Sequence, residues 1–168
     1  MTIRTARIVA AAVAGPMTVI LATIPLAAQG QKPPVASVSK PVAAAKKTHR
    51  LILQVNTNEA GMMNLALNNA QNVAQYYQEL GEPVEIEVVT FGPGLHMLRD
   101  DTSPVKARIK AIAASTPAIA FKACGNTQSN MGKAESKEIA LIPEASVVKS
   151  GVVRVMELQE KGWTYVRP

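Results

Sequence analysis

The side chain in this chain with the clearest chemical potential is its one cysteine. Cys124 stands in Phe121–Lys–Ala–Cys124–Gly–Asn–Thr127, where the apolar run Pro117–Ala–Ile–Ala–Phe121 breaks into Gly125 and two capping residues, Asn126 and Thr127. A thiol that leaves a buried strand and faces a helix start meets free backbone N–H groups, which favour its thiolate. Such a sulfur can act as a nucleophile or carry a second sulfur. The plainer reading is a small buried hydrophobe at a strand end, because free cysteine is among the most buried residue types. Spacing leaves both readings open. A single cysteine allows no internal disulfide, so in an exported chain this thiol must be buried, used, or paired between chains.

Other side chains are candidates to support it. His96 could act as a base or a cation beside the thiolate, or simply cap a turn. Gly92–Pro93–Gly94 could cradle an anion, yet it matches no phosphate fingerprint and reads more simply as a strand-to-helix turn. Asn56 and Glu59 follow an early strand and would join the same rim. No Ser–His–Asp arrangement can be argued, and one cysteine with two histidines gives no zinc spacing. No cofactor motif appears, so neither a cofactor nor a metal is expected. A minor alternative is Cu(I), for which Met62, Met63, Met97 and Met131 with Cys124 would be soft ligands; methionines beside helices are otherwise core filler.

These residues need elements to bring them together. His49 to Asn56 reads as a first, largely apolar strand, and a helix follows to about Leu80. Its Met63, Ala66, Ala70, Val73, Tyr77 and Leu80 fall on one stripe, and Gly81 closes it. Pro83 to Phe91 predicts a second strand, in which alternating Glu85 and Glu87 suggest a partly wet sheet edge. Ser103–Pro104 predicts a helix start, with Val105, Ile109 and Ile112 facing inward. Pro117 to Ala123 is a third strand that delivers Cys124. Ile139–Ile142 and Ala145–Val148 could each add a strand or a short buried connection. Ser150–Gly151 begins a last helix, with Val152, Val153 and Met156 expected inward, before a closing strand at Trp163–Val166.

Alternating strands and helices predict a three-layer α/β/α domain around a mostly parallel sheet of about five strands. In such sheets ligands collect outside the carboxyl ends of the strands, where Asn56, Asn58, Glu59, His96, Cys124, Asn126 and Thr127 would converge.

The ends of the chain read differently. Arg4 and Arg7 precede the uncharged segment Ile8–Ala28, which predicts a signal peptide over 1–28, with an uncleaved anchor as the alternative. Residues 29–48, rich in Pro, Ala, Val, Ser and Lys, read as a flexible linker. The domain is then 49–168, in the periplasm or anchored facing it. Seven of the 18 basic residues precede Leu51 while all 12 acidic ones follow it, so the remaining 11 leave the domain near −1. Without a basic face or exposed aromatics, nucleic acid is not an expected partner. Membrane contact is expected only through the leader.

The Phe121-x-x-Cys124–Gly–Asn–Thr127 motif resembles the DsrE/DsrF-like (YchN-like fold) family of small sulfur-relay proteins, in its exported single-domain branch. Gly92–Pro–Gly94–Leu95, Ser150–Gly–Val152 leading to Glu157–Leu–Gln159, and Gly162–Trp163 leading to Arg167–Pro168 agree with it. The resemblance covers about residues 49–168. It implies a three-layer fold with a five-stranded parallel sheet and assembly into homo-trimers or hexamers. It also implies a cysteine, here Cys124, that carries sulfur as a persulfide between donor and acceptor proteins. At most this is a sulfur-carrier or sulfurtransferase-like activity; the alternative is a non-catalytic oligomeric binding module with a structural cysteine. The chain departs from the relay members in its export signal and in lacking a second cysteine.

Overall fold

The structure is a computed structural model that describes residues 47–168. The predicted leader and most of the linker lie outside the described residues. Five strands form one sheet: β1 (His49–Val55), β2 (Val84–Thr90), β3 (Ile119–Cys124), β4 (Ala145–Val148) and β5 (Thr164–Val166). Between them run α1 (Ala60–Glu79), α2 (Lys106–Ser115), α3 (Gly125–Glu135) and α4 (Gly151–Glu160), with a 3-10 helix at Gly92–Leu98. The strand order is β4-β3-β2-β1-β5, and every pairing is parallel.

That order decides which helix covers which face. From β1 to β4 the chain steps one position at a time in one direction, so right-handed crossovers put α1, α2 and α3 on one face. The return from β4 to β5 runs the other way and puts α4 on the opposite face. Two cores result. The larger joins Leu53, Val88 and Phe121 of the sheet to Met63, Leu67 and Ala70 of α1 and Ile109 and Ile112 of α2. The smaller is built from Ile52 and Val89, the strand neighbours that point the other way, with Val155 and Leu158 of α4. The architecture is three-layer α/β/α, as the alternation predicts.

Several local expectations are corrected. Val152, Val153 and Met156 do not face inward; they are 53%, 46% and 55% exposed, while Gly151, Val155 and Leu158 are buried. Glu85 and Glu87 do not mark an edge, because β2 is the central strand. Glu87 is buried and accepts from Arg154 Nε of α4 at 2.9 Å, while exposed Glu85 meets Arg50 across β1. The α1 stripe runs through Met63, Ala66, Leu67, Ala70 and Ala74, leaving Leu80 exposed and Tyr77 stacked on His49 at 3.8 Å. A period of 3.6 carries the buried face away from Tyr77 and Leu80 by the last turns. The second helix starts only at Lys106, with Val105 as its N-cap; the Ser103 hydroxyl donates to the Met97 carbonyl at 2.6 Å and accepts the Val105 N–H at 3.4 Å. Of the two candidate segments after α3, Ala145–Val148 is the strand; Leu141 makes only an isolated bridge to Arg99.

Candidate functional site

β3 and β4 are adjacent and parallel, with Cys124 level with Val148 at their carboxyl ends. Beyond these ends the chain departs in opposite directions, from β3 into α3 on one face and from β4 into α4 on the other. Such a topological switch opens a crevice where ligands bind in open α/β sheets. Cys124 is the last residue of β3 at this point.

Cys124 is itself the N-cap of α3, so Asn126 and Thr127 lie inside the first turn rather than capping it. Its Sγ accepts the Thr127 N–H at 3.4 Å. The Thr127 hydroxyl accepts the Gly92 N–H at 3.0 Å, and its presence near the sulfur favours the thiolate. From the other side comes Gly151, the first residue of α4. A Cβ there would stand 3.2 Å from Cys124 Cβ and 2.8 Å from Phe91 Cδ1, so only glycine lets this helix start approach the thiol. Gly125 is equally close on the β4 side, where a Cβ would meet Val147 Cγ1 at 3.1 Å and the Val148 carbonyl at 3.3 Å. The Asn126 N–H donates to the Lys149 carbonyl at 3.2 Å and ties the two loops together.

Two helix N-termini thus point at one sulfur, and their partial positive charge favours an anion there. Burial pushes the Cys124 thiol up. The Thr127 hydroxyl and the amides of Gly151, Thr127 and Asn126 more than offset it, and the thiol ends below its ordinary value. Cys124 is 4% exposed, so its reactivity depends on what borders it. Beside it lies a cleft of about 520 Å³, bordered by Asn126, Val148, Lys149 and Ser150 and by the Arg154 side of α4. Cys124 itself is not part of its lining.

The other rim residues are distributed along the same edge of the sheet. Gly94 packs on the end of β1, where a Cβ would fall 2.1 Å from the Val55 carbonyl oxygen and 2.8 Å from Asn56 Cα. Gly94 and Asn56 therefore meet each other, two strands from Cys124, or roughly 10 Å at a strand spacing of about 4.8 Å. Glu59 is exposed at the start of α1 and accepts from the Thr57 hydroxyl at 3.2 Å. His96 Nδ1 pairs with the Thr102 hydroxyl at 2.8 Å, and no hydrogen bond among the described residues joins it to the thiol. Met63 and Met97 are fully buried in the core, and Met131 Sδ lies 3.8 Å from a guanidinium nitrogen of Arg99. Those are packing positions. Among the described residues no group of His, Cys, Asp and Glu could hold a metal ion.

Gly151 and Ser150 were not among the residues singled out for chemistry. Ser150–Gly151 reads as a helix start, but its place on the rim depends on Ala145–Val148 being a strand beside β3. The signal was a glycine directly after a capping serine at a helix start.

Fold and crevice together define a three-layer α/β domain with a thiol at a topological switch point. Among solved structures the chain is similar to that of the protein of unknown function MTH1491 from Methanobacterium thermoautotrophicum. The TM-score is 0.61 at 27% identity, over 71% of this chain and 99% of that one. No family model and no curated protein matches the chain. The likeness supports the fold and assigns no activity.

Proposed function

We propose that this chain is an exported DsrE-like domain whose Cys124 takes up sulfane sulfur as a persulfide and passes it on in the cell envelope. The observation that carries this reading is the convergence of two helix starts, from α3 and α4, on a buried sulfur. The thiolate attacks the terminal sulfur of a polysulfide. A new S–S bond forms at Cys124, the donor's S–S bond breaks, and its electron pair leaves on the shortened polysulfide. The persulfide anion takes the place of the thiolate, so the same amides hold it. An acceptor thiolate reverses the step, and no second cysteine in this chain is needed. Donor and acceptor are then separate proteins or small thiols.

Treatment of the purified protein with polysulfide should add sulfur, read by intact mass. No addition to the native protein, or equal addition to Cys124→Ser, overturns the reading.

One observation favours a second reading, that the domain is an assembly module. Val147, Val152, Val153 and Met156 leave an apolar surface exposed along edge strand β4 and helix α4. A homo-trimer or hexamer closed through this face is the form proposed. Sedimentation of the native protein and of Val152→Glu tests it, and equal monomeric profiles reject it. Export rests on the leader alone. Among the described residues no helix is long and apolar enough to cross a membrane.

A further inference from the structure

Helix α3 is fastened to the domain by polar contacts. It buries no residue completely, whereas α1 buries five and α2 buries Ile109 and Ile112. Its inner face carries Thr127, Gln128, Met131 and Glu135 at helical spacing. Thr127 binds Gly92, and Gln128 Nε2 donates to the Ile139 carbonyl at 2.8 Å. Met131 supplies a half-buried apolar contact.

Glu135, in the last turn, ends on Arg99, which is 1% exposed. The Arg99 guanidinium is gripped by two carboxylates. Nη1 and Nη2 donate to the two oxygens of Glu135, the second at 2.8 Å. Nε and Nη2 donate to Asp101 at 2.9 and 2.7 Å. Lys137 closes the network onto Asp101 at 2.9 Å and Glu135 at 3.2 Å.

Burying a guanidinium is costly, and an apolar residue of similar size often serves stability as well. A bidentate fork adds what an apolar contact lacks, a defined angle between the two partners. Here the fork holds the far end of the helix that starts at Cys124. An 11-residue helix spans roughly 16 Å at 1.5 Å per residue, so a swing at Glu135 re-aims the first turn.

We propose that Arg99 is a positioning residue for Cys124: through Glu135 it sets the tilt of α3, and with it the aim of the Thr127 amide and hydroxyl at the sulfur. The inference rests on the reading of Cys124 as a working thiolate. It differs in sign from a through-space effect. Removing the negative charge of Glu135 would by itself favour a nearby thiolate, whereas loss of aim disfavours it. Lys149, Arg154 and Glu157, the charged groups around the cleft, are untouched by the variants below.

The test is the pH midpoint of thiolate formation, followed by ultraviolet absorbance and by alkylation rate, in the full chain. Glu135→Gln is expected to raise the midpoint and slow alkylation at neutral pH several-fold. Glu135→Asp keeps the charge but shortens the reach, folds readily at an exposed helix end, and should shift the midpoint the same way. Arg99→Lys, which cannot fork, should match them. A lower melting temperature with an unchanged midpoint in Glu135→Asp overturns the proposal, as does a lowered midpoint in Glu135→Gln. Polysulfide uptake by the native protein, measured alongside, separates the two ideas. Its absence removes the carrier reading, while the response of the midpoint to Glu135 decides the positioning role.

Discussion

Helix α4 reaches the sheet through Val155 and Leu158, which bury against Ile52 and Val89, whereas α3 reaches it through Thr127, Gln128 and Glu135. Both helices start beside the Cys124 sulfur, and both use an arginine and a carboxylate. On the α4 side, Arg154 pairs with Glu87 in the middle of the central strand. On the α3 side, Arg99 holds Glu135 at the helix's far end. Apolar packing is dense and non-directional, so it fixes α4 against displacement. Hydrogen bonds are directional and individually modest, so they set α3's angle at lower total stability. One wall of the crevice is therefore firm and the other adjustable, which fits the proposed uptake of sulfur by a buried thiol.

The firm wall gives the largest expected effects. Leu158→Ala opens a cavity in the small α4 core and should cost about 2–5 kcal/mol in urea unfolding. The corresponding truncation on the other wall, Met131→Ala, removes only a half-buried side chain and should cost clearly less. Equal losses would break the contrast between the two helices.

Gly151→Ala acts at the meeting point. Its new Cβ would overlap Phe91 and press on Cys124, an overpacking that typically costs about 1–3 kcal/mol. Displacing the α4 start also withdraws the Gly151 amide, so alkylation at neutral pH should slow. A stable variant whose thiol titrates like the native one would show that α4 contributes nothing to the thiolate.

Thr127→Val keeps the shape of the α3 wall but removes the hydroxyl between Gly92 and the sulfur. A single lost hydrogen bond with a partner left unsatisfied costs about 1–3 kcal/mol. The thiol midpoint should rise, because the hydroxyl is the strongest of the groups that hold it down. An unchanged midpoint would leave the backbone amides as the whole cause.

Much of this arrangement was legible in the residues, and the exceptions have physical reasons. Strand and helix order followed from periodicity, and the break at Cys124–Gly125 marked the thiol before any fold was known. The buried face of α4 could not be read, since Val152, Val153, Val155, Met156 and Leu158 put apolar groups on more than one side. Glu87 resembled an edge residue because its partner Arg154 lies 67 positions further on. Gly151 carried a local signal as a helix start, but its approach to Phe91 and Cys124 exists only once β4 pairs with β3. Arg99 was hidden for the same reason, as a charged residue in a loop whose burial depends on α3 folding over it.

The smallest effect is expected from acid, and it bears on the adjustable wall alone. Arg99 holds the Glu135 carboxyl down from its ordinary 4.5 to about 2, and holds Asp101 well below the usual carboxylate range. A carboxylate with a depressed value stabilises the fold fully above its unfolded value and loses that contribution as pH falls through the folded one. Native stability should thus decline between about pH 4.5 and pH 2 as Arg99 loses its partners. Glu135→Gln should start lower at neutral pH and decline less over that window, with Asp101 supplying what slope remains. Urea midpoints measured across the window in both proteins check this. Because Arg154 and Glu87 belong to the other wall, Glu87→Gln should leave the difference between the two curves unchanged. Parallel curves for the native protein and Glu135→Gln would mean that α3 is held by Gln128 and Met131 instead, and that Arg99 is stabilised by Asp101 alone.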